Sequence, residues 1–302
     1  MSATFILSLD CEGKWGVADR LTAKHRQQLS DARLRKAYRS VLQLLDEYEL
    51  PATFAFVGAF TQSRTSFAHI RPEIEALAHH APAYLQPALR DMAETSGEGW
   101  HGDELVDMVA AARTAHEIAL HGVTHVPWTS VDVDFARAEL RLLPSLQGPV
   151  SASATFVYPR NEVAHADVLA ERGFAGYRLA RPRRSRAASL LAEFNLAAEP
   201  ELPRRSPAIT EIPAGFFLNW RSGLRALVPP AVTIARARHL LDAASRCNGI
   251  VHYWLHPENI ASAPPTLDLL RRLVREVVAR RDTGDCQVMT QLGYCRSLEL
   301  QV

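Results

Sequence analysis

The sequence predicts an α/β protein, a closed or nearly closed β/α barrel of about seven to eight mainly parallel strands. An open doubly wound sheet is the alternative. Short apolar runs rich in β-branched and aromatic residues recur along the chain. Most have a segment with helical apolar spacing beside them, and alternating strand and helix gives a parallel sheet covered by helices. About eight such strands in 302 residues suit one barrel domain spanning 1–302.

In chain order the predicted strands are "TFILSL" (4–9), "ATFAFV" (52–57), "EIAL" (117–120) and "ATFVY" (154–158), then "GYRLA" (176–180), "ITEIP" (209–213), "GIVHYWL" (249–255) and "QVMTQ" (287–291). The clearest helix runs over 31–50, where Leu34, Tyr38, Val41, Leu42, Leu45 and Tyr48 share one face. Others are expected over 103–116, 132–143, 165–172, 231–246 and 266–281. Two stretches break the alternation, 60–102 and the Arg- and Pro-rich 181–208. Excursions this long in a compact domain are binding loops, lids or disordered segments.

Composition narrows the function. With 47% hydrophobic and 22% charged residues the chain reads as a soluble globular protein. Its net charge of +1 supplies no bulk field toward nucleic acid or an anionic membrane. No apolar stretch approaches the roughly 20 residues that span a bilayer. "MSATFILSLDCEG" has no basic n-region, and Ser8, Asp10 and Glu12 break its apolar run, so no signal peptide and a cytoplasmic location are expected. Cys11, Cys247, Cys286 and Cys295 form no CxxC pair and are expected as reduced thiols, Cys11 as a half-buried filler.

The chemistry gathers where predicted strands end. Asp10 and Glu12 close the first strand one residue apart, so both can face one site at its C-terminal end, where parallel β/α folds collect catalytic groups. For an isolated acidic pair, a solvated strand terminus is the commoner reading. In "HEIALHGVTHVPW" (116–128), His121 ends the third strand and His125 follows at zinc-ligand spacing. A lone HxxxH is weak, but with two carboxylates from another strand it makes a set for Zn²⁺, Fe²⁺, Co²⁺ or Ni²⁺. His116 lies at the strand's other end and is structural. In "FVYPRNEV" (156–163), Arg160 follows a strand end and can hold a catalytic carboxylate ionised and oriented. In "GIVHYWLHPEN" (249–259), His252 and His256 share a strand face. His256 is at the site end, where it can protonate a leaving amine, and the deeper His252 is a core residue.

With these four pieces in order, the sequence resembles the polysaccharide deacetylase family of carbohydrate esterases from Leu7 to Pro257, least over 60–102 and 181–208. The resemblance implies a distorted, often incomplete β/α barrel. It implies Asp10 as general base, Glu12, His121 and His125 as ligands of a divalent metal with zinc first, and His256 as the late catalytic histidine. "YPRN" resembles the family's proline-containing motif. Val157 stands where its arginine is expected, which leaves Arg160 as the nearby substitute and its backbone N–H as an oxyanion donor. Asp268 and Asp285 are the candidates for the acid that orients His256.

The implied reaction is hydrolysis of an N-acyl group, acetyl or formyl, on an amino sugar or sugar conjugate in carbohydrate metabolism. The substrate is expected free or carried on a phosphate that Arg181, Arg183, Arg184 and Arg186 would contact. A metal-independent amidohydrolase acting on a ureide, imide or other amide on the same fold is the alternative. An inactive sugar-binding barrel is the alternative of another class.

Overall fold

The computed structural model describes residues 2–182, 185–203 and 209–300. All eight predicted strands are present as β1 (Ala3–Cys11), β2 (Thr53–Phe56), β3 (Glu117–Leu120), β4 (Thr155–Val157), β5 (Gly176–Arg178), β6 (Thr210–Ile212), β8 (Ile250–Leu255) and β9 (Cys286–Met289). The two-residue β7 (Phe216–Phe217) is additional, too short to show any alternation. The order is β6-β5-β4-β3-β2-β1-β8-β7, and every pairing is parallel. β1 pairs with three strands. Its one edge takes β8, and its other is shared by β9 along Ala3–Ile6 and β2 along Ser8–Cys11.

Connectivity explains the curl. The sheet's two end strands, β6 and β7, are joined only by Pro213–Gly215. Four Cα steps span at most about 14 Å, so the ends must approach one another and the sheet bends into a distorted barrel. The closing segment is pinned from inside, where His252 on β8 donates from Nδ1 to the Pro213 carbonyl at 2.7 Å.

The two faces of β1 separate core from chemistry. Phe5, Leu7 and Leu9 point outward into the main core with Leu34, Tyr38 and Val41 of the helix Asp31–Glu47. Ile6, Ser8 and Asp10 point into the barrel. Ile6 packs with Ile212, Ile250, Tyr294 and Cys295, so the C-terminal helix Gln291–Glu299 plugs the barrel's lower end. Glu117 ties that plug in place by accepting from the Leu292 N–H at 2.8 Å.

The segment 60–102 is not a loop. It holds the helices Arg64–Ala78 and Pro82–Glu94, each with an internal proline, Pro72 and Pro87, that disguises the helical spacing of Phe67, Ile70, Ile74 and Leu77. They pack around the loop that follows β1, where Trp15 meets Trp100 edge-on at 5.4 Å. In 181–208 the described part contains the helix Arg186–Leu191 and a turn Ala192–Phe194. Arg183, Arg184 and the side chain of Arg186, expected at a phosphate, lie outside what is described. Cys11 is fully buried rather than half-buried, and all four cysteines are free.

Candidate active site

Strand alternation delivers the groups. β1 brings Asp10 and Glu12 to its C-terminal end, β3 brings His121, and β8 brings His256. His125 follows in a loop whose backbone turns left-handed at Gly122 (φ 70°) and at His125 itself (φ 60°). A Cβ at Gly122 would come within 2.9 Å of the Pro159 ring, so the loop needs glycine there. The fully buried Glu139 carboxylate holds the same loop, accepting from the Thr124 N–H at 2.7 Å and from Trp128 Nε1 at 2.6 Å.

Three imidazoles converge on one oxygen. Glu12 Oε1 lies 3.0 Å from His121 Nε2, 3.0 Å from His125 Nε2 and 3.2 Å from His256 Nε2. His121 Nδ1 is 2.8 Å from the Val157 carbonyl, which can only accept, so the ring's proton is on Nδ1. Its Nε2 lone pair then faces the Glu12 carboxylate. Two acceptors at that distance repel unless a proton or a cation lies between them. Glu12, His121 and His125 hold their ligand atoms within 4.8 Å of one another, and His256 is outside that cluster. A carboxylate oxygen and two imidazole nitrogens, one already anchored by a backbone carbonyl, fit a zinc-type ion. Burial pushes the Glu12 carboxyl up, but His125 and His256 outweigh it and hold it well below the usual range.

Asp10 is gripped from across the barrel. Arg178 on β5, fully buried, donates from Nη1 to Oδ1 at 2.7 Å and from Nη2 to Oδ2 at 2.6 Å. Three strands separate β5 from β1, so the guanidinium crosses the barrel interior, past the small inner residues Ala55, Ala119 and Val157. It also donates to Ser8 Oγ at 3.0 Å and Asn161 Oδ1 at 2.7 Å, and lies over the Trp254 ring at 4.7 Å. Burial pushes the Asp10 carboxyl up, and Arg178, together with His121 and His256, more than offsets this, leaving it lowered.

This corrects the expectation for Arg160. Its guanidinium points away to Asp19 at 2.6 Å and over the Tyr84 ring at 5.1 Å. The left-handed backbone at Arg160 and Asn161 (φ 58° and 55°) turns it outward. Neither Asp268 nor Asp285 orients His256. Asp268 is exposed, Asp285 lies before β9 at the barrel's lower end, and His256 Nδ1 instead meets Asn259 Oδ1 at 3.3 Å. Burial pulls the His256 pKa down, but Glu12, Asp10 and Glu258 raise it to about 9. Glu258, unremarked in the sequence, accepts from the Gly13 N–H at 2.7 Å beneath the site, and burial lifts it to about 7.

His252 is a core residue with a defined tautomer. Its Nδ1 donates to Pro213, so its Nε2 accepts from Ser8 Oγ at 2.8 Å. Burial first, then Arg178, pull its pKa from 6.5 to about 3. A base depressed on folding stabilises the fold fully above the unfolded value of 6.5, and that contribution is lost as pH falls from 6.5 toward 3. By about pH 5 the loss should be about 2 kcal/mol. Urea unfolding at neutral pH and near pH 5 should show a smaller fall for His252→Gln than for the wild type. Equal falls would mean that His252 is already charged in the fold.

Beside His256 opens a chamber of about 970 Å³, bordered by Trp254, Phe216 and Phe217 and walled by residues between 189 and 201. Phe217 packs against Trp254 with ring centroids 4.8 Å apart and planes tilted by 54°, and it reaches His256 at 6.1 Å, an aromatic floor next to the proposed proton donor.

Comparison with solved structures shows that this curled parallel sheet is a fold shared with polysaccharide deacetylases and an allantoinase. A Mycobacterium smegmatis protein provisionally assigned as a polysaccharide deacetylase superposes with a TM-score of 0.63 at 19% identity, covering 99% of this chain and 91% of its own. PuuE allantoinase superposes with a TM-score of 0.56 at 11% identity, covering 97% and 89%. No family model and no curated protein matches the sequence.

Proposed function

We propose that the chain is a metal-assisted amidohydrolase that removes an N-acyl group, acetyl or formyl, from an amino sugar or sugar conjugate. The convergence of Glu12, His121 and His125 on one point, with Asp10 and His256 at its sides, is the observation that carries this reading. These three residues would hold the ion, zinc first, with Fe²⁺, Co²⁺ or Ni²⁺ as alternatives. When bound, the ion supplies Lewis acidity for activating water and polarising the acyl oxygen.

The chain's own groups do the rest. Asp10, kept ionised by Arg178, accepts the proton of the attacking water. His256, with its Nε2 at the site, gives a proton to the departing nitrogen, which otherwise leaves as a poor, strongly basic group. The backbone N–H of Arg160 is the proposed donor to the acyl oxygen.

The aromatic floor supports a ring-bearing substrate, and a chamber of this volume suits a small sugar better than a long polymer. The cytoplasmic setting and a phosphate-linked carrier remain parts of this proposal. A second reading has its own support: His256 pairs directly with Glu12, a self-satisfied arrangement that suits metal-free cleavage of a ureide or similar amide on the fold shared with PuuE allantoinase.

The test compares release of acetate and formate from N-acylated amino sugars, their phosphate conjugates and long chito-oligosaccharides, with ureide cleavage in parallel. Acyl release from the small sugars, dependent on added metal, is expected. Turnover confined to ureides in the presence of chelator would establish the second reading instead.

A further inference from the structure

We propose, resting on the hydrolytic reading above, that Asn161 donates to an oxygen on the substrate beside the scissile nitrogen, a hydroxyl or a carbonyl. Asn161 closes the "YPRN" stretch. Its backbone is left-handed (φ 55°), as is that of Arg160 before it (φ 58°). The two side chains part there. Arg160 turns out to Asp19, and Asn161 turns in to the buried Arg178. Asparagine is one of the few residues besides glycine that adopt this conformation readily, so the side chain at this position is free to be polar and short.

The amide can face only one way. Arg178 Nη2 donates to Asn161 Oδ1 at 2.7 Å, and a guanidinium accepts nothing, so the NH₂ group lies on the other side. The same Nη2 donates to Asp10 Oδ2 at 2.6 Å, which sets the amide one nitrogen away from the general base. Nη1 is also spent, on Asp10 Oδ1 and Ser8 Oγ, and Nε is buried without a partner. Arg178 therefore has no donor left for a substrate. Asn161 has two. Its Nδ2 meets no acceptor among the described residues, yet it is not one of the atoms sealed from solvent. The residue is half-buried and borders the chamber together with Trp254 and His256. A pair of N–H donors thus stands between the base and the chamber that the acid also borders. Support of Arg178 accounts for Oδ1 alone. An oxygen next to the scissile nitrogen accounts for Nδ2.

Three N-acetyl amines of one ring size test this. N-cyclohexylacetamide has no second oxygen, trans-2-acetamidocyclohexanol has a sugar-like hydroxyl, and 2-acetamidocyclohexanone has a carbonyl like the neighbour of a ureide or imide nitrogen. Binding to the full chain in chelator is followed by ligand-observed NMR, and kcat/KM is then measured with added zinc. Both oxygenated compounds should bind roughly threefold to tenfold more tightly than N-cyclohexylacetamide, about what one neutral hydrogen bond contributes. The larger gain marks the source, hydroxyl for an amino sugar and carbonyl for a ureide. Asn161→Gly keeps the left-handed backbone and should bring the three affinities within about twofold of one another. Asn161→Asp keeps an acceptor for Arg178 but replaces both donors by an oxygen, so the ketone should lose its advantage while the alcohol, which can donate, keeps part of its own. No binding of any compound, equal binding of all three by the wild type, a gain on the alcohol alone, or a preference that survives Asn161→Gly would overturn the proposal. A preference that Asn161→Gly abolishes, with no hydrolysis of any compound with or without zinc, would leave the subsite standing and count against the hydrolytic reading alone.

Discussion

Asp10→Asn is expected to lower kcat by roughly 10²-fold or more and to destabilise the fold by about 3–5 kcal/mol. The first effect follows from removing the proton acceptor, because an amide cannot take a proton from water at neutral pH. The second follows from Arg178, which is buried and loses the carboxylate that compensates it. The two separate in a double variant. Arg178→Met with Asp10→Asn removes both charges and should recover much of the lost stability, since replacing a buried pair by apolar groups is often neutral. It should recover none of the activity. Arg178→Met alone should raise the Asp10 pKa, so the acid limb of the kcat/KM profile should move to higher pH. Near-normal turnover in Asp10→Asn with the metal retained would remove Asp10 from the mechanism.

His256→Ala is expected to lower kcat on amide substrates by roughly 10²–10⁴-fold with the fold intact. The loss should depend on the leaving group. An amine needs protonation to depart, whereas the phenolate of an activated aryl ester does not. Ester turnover should therefore fall much less. The His256 ring is oriented by Asn259 through Nδ1, so Asn259→Ala should reproduce a smaller version of the same split. Equal losses on amide and ester would show His256 acting in binding rather than as the acid.

The strands were legible because a parallel sheet covered on both faces writes each strand as a short, almost continuous apolar run. The site's metal-type cluster was legible for the same reason. Asp10, Glu12, His121 and His256 are the polar ends of those runs, and alternation decides which way each points. What escaped depends on the third dimension. Arg178 sits inside "GYRLA", where nothing local says that it crosses the barrel. The available signal was a lone charge within an apolar run, which demands a buried partner. Arg160 is one residue beyond the expected motif proline, but two successive left-handed residues swing it outward. Asn259 was hidden because it orients His256 from within the same turn, whereas the family pattern directs attention to a distant acid. The paired helices in 60–102 were masked by Pro72 and Pro87.

Glu12, His121 and His125 are proposed to hold the metal ion, with His256 outside its ligand set. Purified full-length protein, equilibrated with zinc and freed of unbound ion, is weighed by native mass spectrometry beside His121→Ala/His125→Ala and His256→Ala. The wild type and His256→Ala are expected to carry a single ion per chain, and the His121→Ala/His125→Ala variant none. A wild type that carries no ion yet hydrolyses its substrate, or a His256→Ala variant that loses the ion, would contradict the claim.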